Sequence, residues 1–447
     1  MKEPIISVSG LRGIIGESLS PELAMRFACA FATDLGEGPI VVTRDGRHTG
    51  RMLADAIRAG LCAVGRDVID ADVAATPTTG ILVRMAKAAG GIQISASHNP
   101  PAYNGIKLFG SEGRVLTADL GERVVSRYRS GEISWVEHDR IGSVSMHSDT
   151  TSKHLELVLA NVDVQRIRDQ RFKVLLDSNH GAGSILGRKL LDALGCQITL
   201  LGGEPDGQFA HTPEPTAENL AGVRTSIVEA GAAVGFCQDP DADRLAVIDE
   251  TGRYIGEEFT LVLCLDHVLS RTAGPVVTNC ATSRMSEDIA NKHGVEFYRS
   301  AVGEANVCTM MQEKQAAFGG EGNGGPIDPR VGFVRDSFVG MALILDAMAA
   351  TGKSVSELAD ALPQYDIHKT KITLDRERIP AALDAIELHF DDATASRLDG
   401  LRLDWPDRWL LIRASNTEPI VRIIAEAPDA AGSRKLCDDA AKVIGAT

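Results

Sequence analysis

Chemistry in this chain concentrates in a few short runs. The first is Ser95-Ala96-Ser97-His98-Asn99-Pro100, followed by Tyr103-Asn104-Gly105-Ile106-Lys107. Gly90-Gly91-Ile92-Gln93-Ile94 before it reads as a short strand, so Ser97 lies on a polar turn at a strand end. A hydroxyl exposed there, with an imidazole beside it and a lysine ten residues on, suits a serine that carries a covalent group during turnover. A serine that merely caps a turn is the competing reading.

The second run is Asp239-Pro240-Asp241-Ala242-Asp243-Arg244, between the apolar stretches 233–236 and 245–248. Alternating carboxylates in an extended loop can aim three oxygens at one point, as a hard divalent cation requires; a solvated acidic turn is the alternative. A calcium hand is rejected although Glu250 stands twelfth from Asp239: Arg244 occupies the position that needs glycine, and both flanks read as strands. Magnesium suits so few protein ligands beside a phosphate.

The third run is Arg413-Ala414-Ser415-Asn416-Thr417-Glu418-Pro419, with Arg422 following. Two guanidiniums, two hydroxyls, an amide and loop N–H groups suit a phosphate dianion, against an ordinary hairpin turn with surface arginines. Two weaker signals remain. Glycines flank Arg12 in Ser9-Gly10-Leu11-Arg12-Gly13, with Arg44-Asp45-Gly46-Arg47 later. The run 319–325, Gly-Gly-Glu-Gly-Asn-Gly-Gly, carries Glu321 and Asn323, which can bind a polyol through its hydroxyls, or the run is a glycine hinge.

The elements that must hold these loops alternate. Strand-like 39–43 precedes a helical stretch at 51–64 and a strand at 67–70; the rhythm restarts at 172–177 and again at 275–278. The tail differs, with hairpin strands at 401–405 and 409–413, a third at 420–424 and a closing helix at 431–444. This pattern predicts largely parallel α/β units: three successive similar α/β domains with mixed sheets, then a smaller C-terminal α+β domain. The expected division is 1–148, 152–252, 253–363 and 366–447.

Length and composition bound the rest. At 447 residues the chain exceeds one core, and 44% apolar with 24% charged residues is ordinary for a globular protein. The net charge of −15 disfavours a nucleic-acid partner. The eight cysteines are scattered without a CxxC pair, so they read as reduced core residues. The most apolar region, 338–345, runs into Asp346 and reads as a buried helix, not a membrane span. No signal peptide is evident at Met1-Lys2-Glu3-Pro4, and a cytoplasmic location is expected.

Taken together and in this order, the motifs resemble the α-D-phosphohexomutase superfamily over essentially the whole chain. The resemblance implies four domains around one central cleft, each contributing a loop. It implies that Ser97 is the phosphorylated serine and that Asp239, Asp241 and Asp243 hold Mg²⁺ with the Ser97 phosphate. Arg244 is the basic residue that follows the metal loop, and Gly303 and Glu321 lie in the sugar-binding unit with Asn323. Arg413, Ser415, Asn416, Thr417 and Arg422 form the phosphate-binding loop. Arg12 and Arg244 share the charge of transfer, His98 orients the serine loop, and Lys107 is the candidate general acid/base, a role that needs a lowered pKa; a fixed cation is the alternative. Hexose 1,6-bisphosphate is the implied activator and intermediate, and sugar phosphates are the implied partners of a monomer or homodimer with no membrane partner. The run 322–325 lacks the serine and histidine of many relatives and resembles archaeal-type members. Arg335-Asp336 stands near enough in sequence to line the same site. That loop favours phosphoglucosamine mutase over phosphoglucomutase/phosphomannomutase; a metal-dependent sugar phosphatase and a non-catalytic sensor are the readings from other classes.

Overall fold

The computed structural model describes residues 2–7, 10–414 and 420–446, with Ala446 described by its backbone alone. The chain forms four sheets, one after another in sequence. The first has seven strands in the spatial order Ile5–Ser7, Gly10–Ile14, Tyr103–Gly110, Gly90–Ile94, Ile40–Arg44, Val68–Val73, Val144–Met146. Ile40–Arg44 runs parallel to both its neighbours, as βαβ crossovers require. Gly90–Ile94 and Tyr103–Gly110 pair antiparallel, with Ile94 opposite Ile106. The Ser97 loop, residues 95–102, is therefore the turn of a hairpin whose strands are buried at its base.

The second sheet, ordered Leu245–Asp249, Val234–Gln238, Lys173–Asp177, Gln197–Leu201, repeats this device. Gln238 pairs with Leu245, and the acidic run is the hairpin turn between two strands that are buried on both faces. In the third, Phe297–Ser300, Val276–Asn279, Phe318–Glu321 and Gly325–Ile327 lie side by side, and Glu321 opposite Gly325 closes a tight turn at 322–324. Gly324 has φ +79°, and a Cβ there would meet the Leu245 carbonyl oxygen at 2.3 Å, so the sugar-loop turn lies directly against the metal-loop strand. The first three sheets are mixed, each a parallel set extended by an antiparallel hairpin that carries a chemical loop.

The fourth sheet is wholly antiparallel: Asp366–Thr373, Ile420–Ala427, Trp409–Ala414, Leu401–Asp404, Thr394–Ser396. Its first strand and the helix Ile379–His389 add to the elements expected in the tail. The apolar stretch at 338–345 lies within the helix Ser337–Thr351, capped by Asp336, whose carboxylate accepts from Phe338 N and Val339 N. That helix carries Phe338 and Met341 into one apolar core with Leu176, Leu186 and Phe236, so the second and third units share a continuous interior. The fourth unit has its own core and meets the third through a smaller cluster of Cys280, Trp409, Leu411 and Ile424. Among the described residues, no helix is long and apolar enough to cross a membrane.

Candidate active site

Ser97 is buried and has φ +51°, a region that non-glycine residues seldom occupy. Its Oγ donates to Asp239 Oδ2 at 2.7 Å, across the boundary between the first and second units. His98 Nδ1 lies 3.4 Å from the same Oγ. Burial, with Arg244 and Arg12 close by, pushes the His98 imidazole down to about 3, so it is neutral at working pH. Arg12 Nη1 donates to Asn99 Oδ1 at 3.3 Å, which places a second cation at the loop.

The three aspartates are completely buried, and one oxygen from each falls within 4.8 Å of the others. Ala242 at the turn has φ +56°, the local cost of aiming alternate side chains to one side. Their surroundings divide them. Lys107 Nζ donates to Asp241 Oδ2 at 2.5 Å and Asp243 Oδ2 at 2.8 Å. Thr76 Oγ1, at the start of the helix Thr76–Met85, donates to Asp241 Oδ2 at 2.6 Å. Arg335 Nη2 donates to Asp243 Oδ2 at 2.7 Å. Burial opposes the ionised form of Asp241, yet Lys107 and Thr76 hold its carboxyl below the usual range; Asp243 is held low by Arg335 and Lys107 against the same opposition. Asp239 goes the other way, raised well above the usual range by burial and by its two charged neighbours.

Asp241 Oδ1 and Asp243 Oδ1 are buried and accept no hydrogen bond. Two orphaned carboxylate oxygens beside a third carboxylate are the donor set of a hard cation, and they fit a divalent metal. Arg244 Nε is also buried without a hydrogen-bond partner, 3.9 Å from Asp243 Oδ1.

Lys107 departs from the expectation of a lowered pKa. Burial works to depress it, but Asp241 and Asp243 outweigh burial and raise it. Two buried carboxylates at 2.5 and 2.8 Å hold its ammonium, an arrangement that suits the fixed cation named as the alternative to a general acid/base.

The sugar loop faces the same point. Glu321 Oε1 accepts from Asn279 Nδ2 at 2.7 Å and from Gly303 N at 3.3 Å, while Asn323 Nδ2 lies 3.3 Å from Glu321 Oε2. Arg335 Nη1 donates to Glu321 Oε2 at 2.8 Å. One guanidinium, from the Arg335-Asp336 pair that follows the sugar loop in sequence, therefore joins the metal loop to the sugar loop.

Beyond Glu321 opens a cleft of about 640 Å³ between the third and fourth units. Glu258, Asn279, Glu321 and Asn323 line one wall, and Lys369, Lys371, Arg413 and Arg422 line the other. Arg413 and Arg422 are there as expected; Ser415, Asn416 and Thr417 lie outside the described residues. The two lysines and Glu258 were not foreseen. The alternation of Lys369 and Lys371 along an edge strand is the signal that could have found the lysines.

Four models of the phosphoglucomutase/phosphomannomutase family match in order: alpha/beta/alpha domain I over residues 4–133, domain II over 152–252, domain III over 257–365 and the C-terminal domain over 370–443. The chain belongs to the phosphohexomutase family. It is 38% identical to the phosphoglucomutase/phosphomannomutase of Thermococcus kodakarensis, over 97% of each chain. It is 32% identical to a Methanopyrus kandleri protein named "Probable phosphoglucosamine mutase", over 98% of this chain and 96% of that one. Among solved structures it superposes on a phosphoglucomutase/phosphomannomutase family protein of Burkholderia thailandensis with a TM-score of 0.86, at 27% identity, covering 99% of this chain and 98% of that one. A phosphohexomutase is an isomerase.

Proposed function

We propose that this phosphohexomutase interconverts hexose 6-phosphate and 1-phosphate through a phosphoserine at Ser97. The observation that carries the reading is the 2.7 Å contact between Ser97 Oγ and Asp239, which sets a single hydroxyl at the rim of three carboxylates able to hold a cation. In the first half-reaction the bond from phosphorus to Ser97 Oγ breaks and one to a sugar hydroxyl oxygen forms. In the second, the other phosphate of the hexose 1,6-bisphosphate returns to Ser97. The proton that the accepting hydroxyl loses in the first transfer is regained by the leaving oxygen in the second, so the cycle is neutral.

Asp239, Asp241 and Asp243 would hold Mg²⁺, which when bound neutralises negative charge on the transferring phosphoryl group. Arg244 and Arg12 supply further positive charge at the Ser97 loop, Lys107 keeps two of the aspartates ionised, and neutral His98 packs against the nucleophile. The cations at 369, 371, 413 and 422 would hold the non-reacting phosphate, with Ser415, Asn416 and Thr417 completing that loop. Asn323, Gly303 and Glu321 would bind the sugar. The units divide at 148–152, 252–253 and 363–366 on this reading.

For the sugar, the Arg335–Glu321 pair favours neutral hexoses. A carboxylate already neutralised by a guanidinium at 2.8 Å gains little from an ammonium and would set it beside a like charge. This puts glucose and mannose phosphates ahead of the glucosamine phosphate that the loop sequence favoured. Glu258 supports the second reading: its carboxyl borders the same cleft, accepts from Ser283 N, and is raised to about 8 chiefly by burial, a state that an amino sugar would reverse.

The test supplies purified protein, magnesium and a trace of hexose bisphosphate with glucose 6-phosphate, mannose 6-phosphate or glucosamine 6-phosphate in turn, and follows the 1-phosphates by phosphorus NMR. Isomerisation of the neutral sugars at higher kcat/KM is expected. A preference for glucosamine 6-phosphate makes the enzyme a phosphoglucosamine mutase. Free phosphate without isomerisation makes it a phosphatase.

A further inference from the structure

Arg47 closes the run 44–47 noted beside Arg12 and has no role assigned above, yet its side chain is 1% exposed and is among the largest fully buried of the described residues. Nη2 donates to the carbonyls of Ser97 and Asn99, each at 2.6 Å, and Nη1 to those of Pro100 and Tyr103 at 2.8 and 3.0 Å. Nε donates to Asp45 Oδ2 at 3.1 Å. A guanidinium has five N–H donors, and here they all point into one pocket of acceptors.

The loop at 95–102 is neither helix nor ladder, so the carbonyls of Ser97 and Asn99 depend on donors from elsewhere. Arg47 supplies them. The amide side of Ser97 is held from the same root: Ser97 N donates to Ser95 Oγ at 2.9 Å, and Ser95 Oγ donates to Asp45 Oδ2 at 2.7 Å. Both sides of residue 97 thus lead back to one Asp45–Arg47 pair. A left-handed backbone at a serine persists only where its surroundings over-determine it, and these contacts do so.

The second unit covers the pair. The Phe209 ring lies 5.0 Å from the Arg47 guanidinium carbon. A Cβ on Gly207 would meet Gly46 O at 2.6 Å, and one on Gly46 would meet His180 O at 2.5 Å, so the loops touch backbone to backbone. The unit that supplies Asp239 therefore also presses on the residue that shapes the Ser97 loop.

We infer that Arg47, covered by Phe209, is a positioning residue for phosphoryl transfer: it sets the Ser97 loop so that Oγ faces the carboxylate cluster. This rests on the reading that Ser97 carries the phosphoryl group. Lysine cannot replace it, because its three donors share one nitrogen and cannot serve divergent carbonyls in a plane.

The test compares full-length R47K, F209L and S97A with the unaltered enzyme, using magnesium, hexose bisphosphate and the preferred sugar phosphate, with thermal melting alongside. R47K is expected to lower kcat about 100-fold, the scale of a 1 Å misplacement, with KM within about twofold, because the sugar and its phosphate are held by the third and fourth units. The free phosphate released per isomerisation should rise, since a misdirected phosphoserine loses its group to water. F209L, which keeps every hydrogen bond of Arg47, is expected to shift kcat and leakage in the same direction to a smaller degree. If R47K does not fold, F209L alone decides. Unchanged kcat and leakage, or equal losses in kcat and KM that follow the melting temperature, overturn the inference while an inactive S97A leaves the reading of Ser97 standing. An active S97A overturns both.

Discussion

Arg413 and Arg422 stand directly opposite each other on neighbouring antiparallel strands, and Lys371 stands opposite Arg422 on the next strand. Asp399 Oδ2, 3.2 Å from Arg413 Nε, offsets part of the repulsion in this cross-strand row of three cations, and the rest costs stability unless an anion sits over it. R422A should therefore raise KM for the sugar phosphate by about tenfold, the scale of one charged hydrogen bond, and leave the melting temperature equal or slightly higher. Steady-state kinetics beside calorimetry check both halves; an unchanged KM refutes the clamp.

Removing the hydroxyl of Ser97 should abolish turnover. Intact-mass measurement after incubation with hexose bisphosphate should show one added phosphoryl group on the unaltered enzyme and none on S97A. Isomerisation at the normal rate by S97A rejects the phosphoserine.

Asp241→Asn leaves Lys107 buried with one carboxylate in place of two and takes a charge from the candidate metal site. Half-saturation by magnesium should rise at least about tenfold, the linkage expected when a carboxylate ligand becomes an amide. Titration of the apo-protein by calorimetry measures this independently of activity, and indifference to the change refutes the metal loop.

Arg335→Gln removes the only guanidinium that bridges Asp243 and Glu321 among the described residues, and Glu304, whose Oε2 lies 3.6 Å from Arg335 Nε, loses it too. Stranding buried carboxylates costs about 3–5 kcal/mol, so a marked fall in melting temperature should accompany loss of activity. A stable, inactive R335Q would instead mean that Arg335 acts on the substrate directly.

Asp346 tests the pH dependence of the shared core. Burial alone would raise its carboxyl, but His267 and Arg166 donate to it and hold it at about 2. A carboxyl depressed in the folded state contributes stability above its unfolded value near 4, and that contribution is lost as pH falls through about 2. The gap in melting temperature between the unaltered protein and D346N should therefore be full at pH 6 and shrink by pH 3. A gap independent of pH refutes the ion pair.

The order of residues sets the chemical inventory and where along the chain each piece lies. A buried strand ending in Gly, Pro or alternating Asp must turn there, so Ser97, the acidic run, Glu321 and the 413–422 arginines were legible as loops at strand ends. What each group faces is set by packing between the units. Ser97 meets Asp239 across 142 residues of chain, and Lys107 meets Asp241 across 134. Which carboxylates are ionised, that Lys107 meets two of them, that Arg335 ties the metal loop to the sugar loop and that Phe209 covers Arg47 depend on burial and on pair distances. Those arise from packing between units, and charge interactions over a few ångströms leave no periodic trace in the order of residues. Lys369 and Lys371 show the boundary: their alternation marks one face of a strand, but only sheet pairing sets that face beside Arg422.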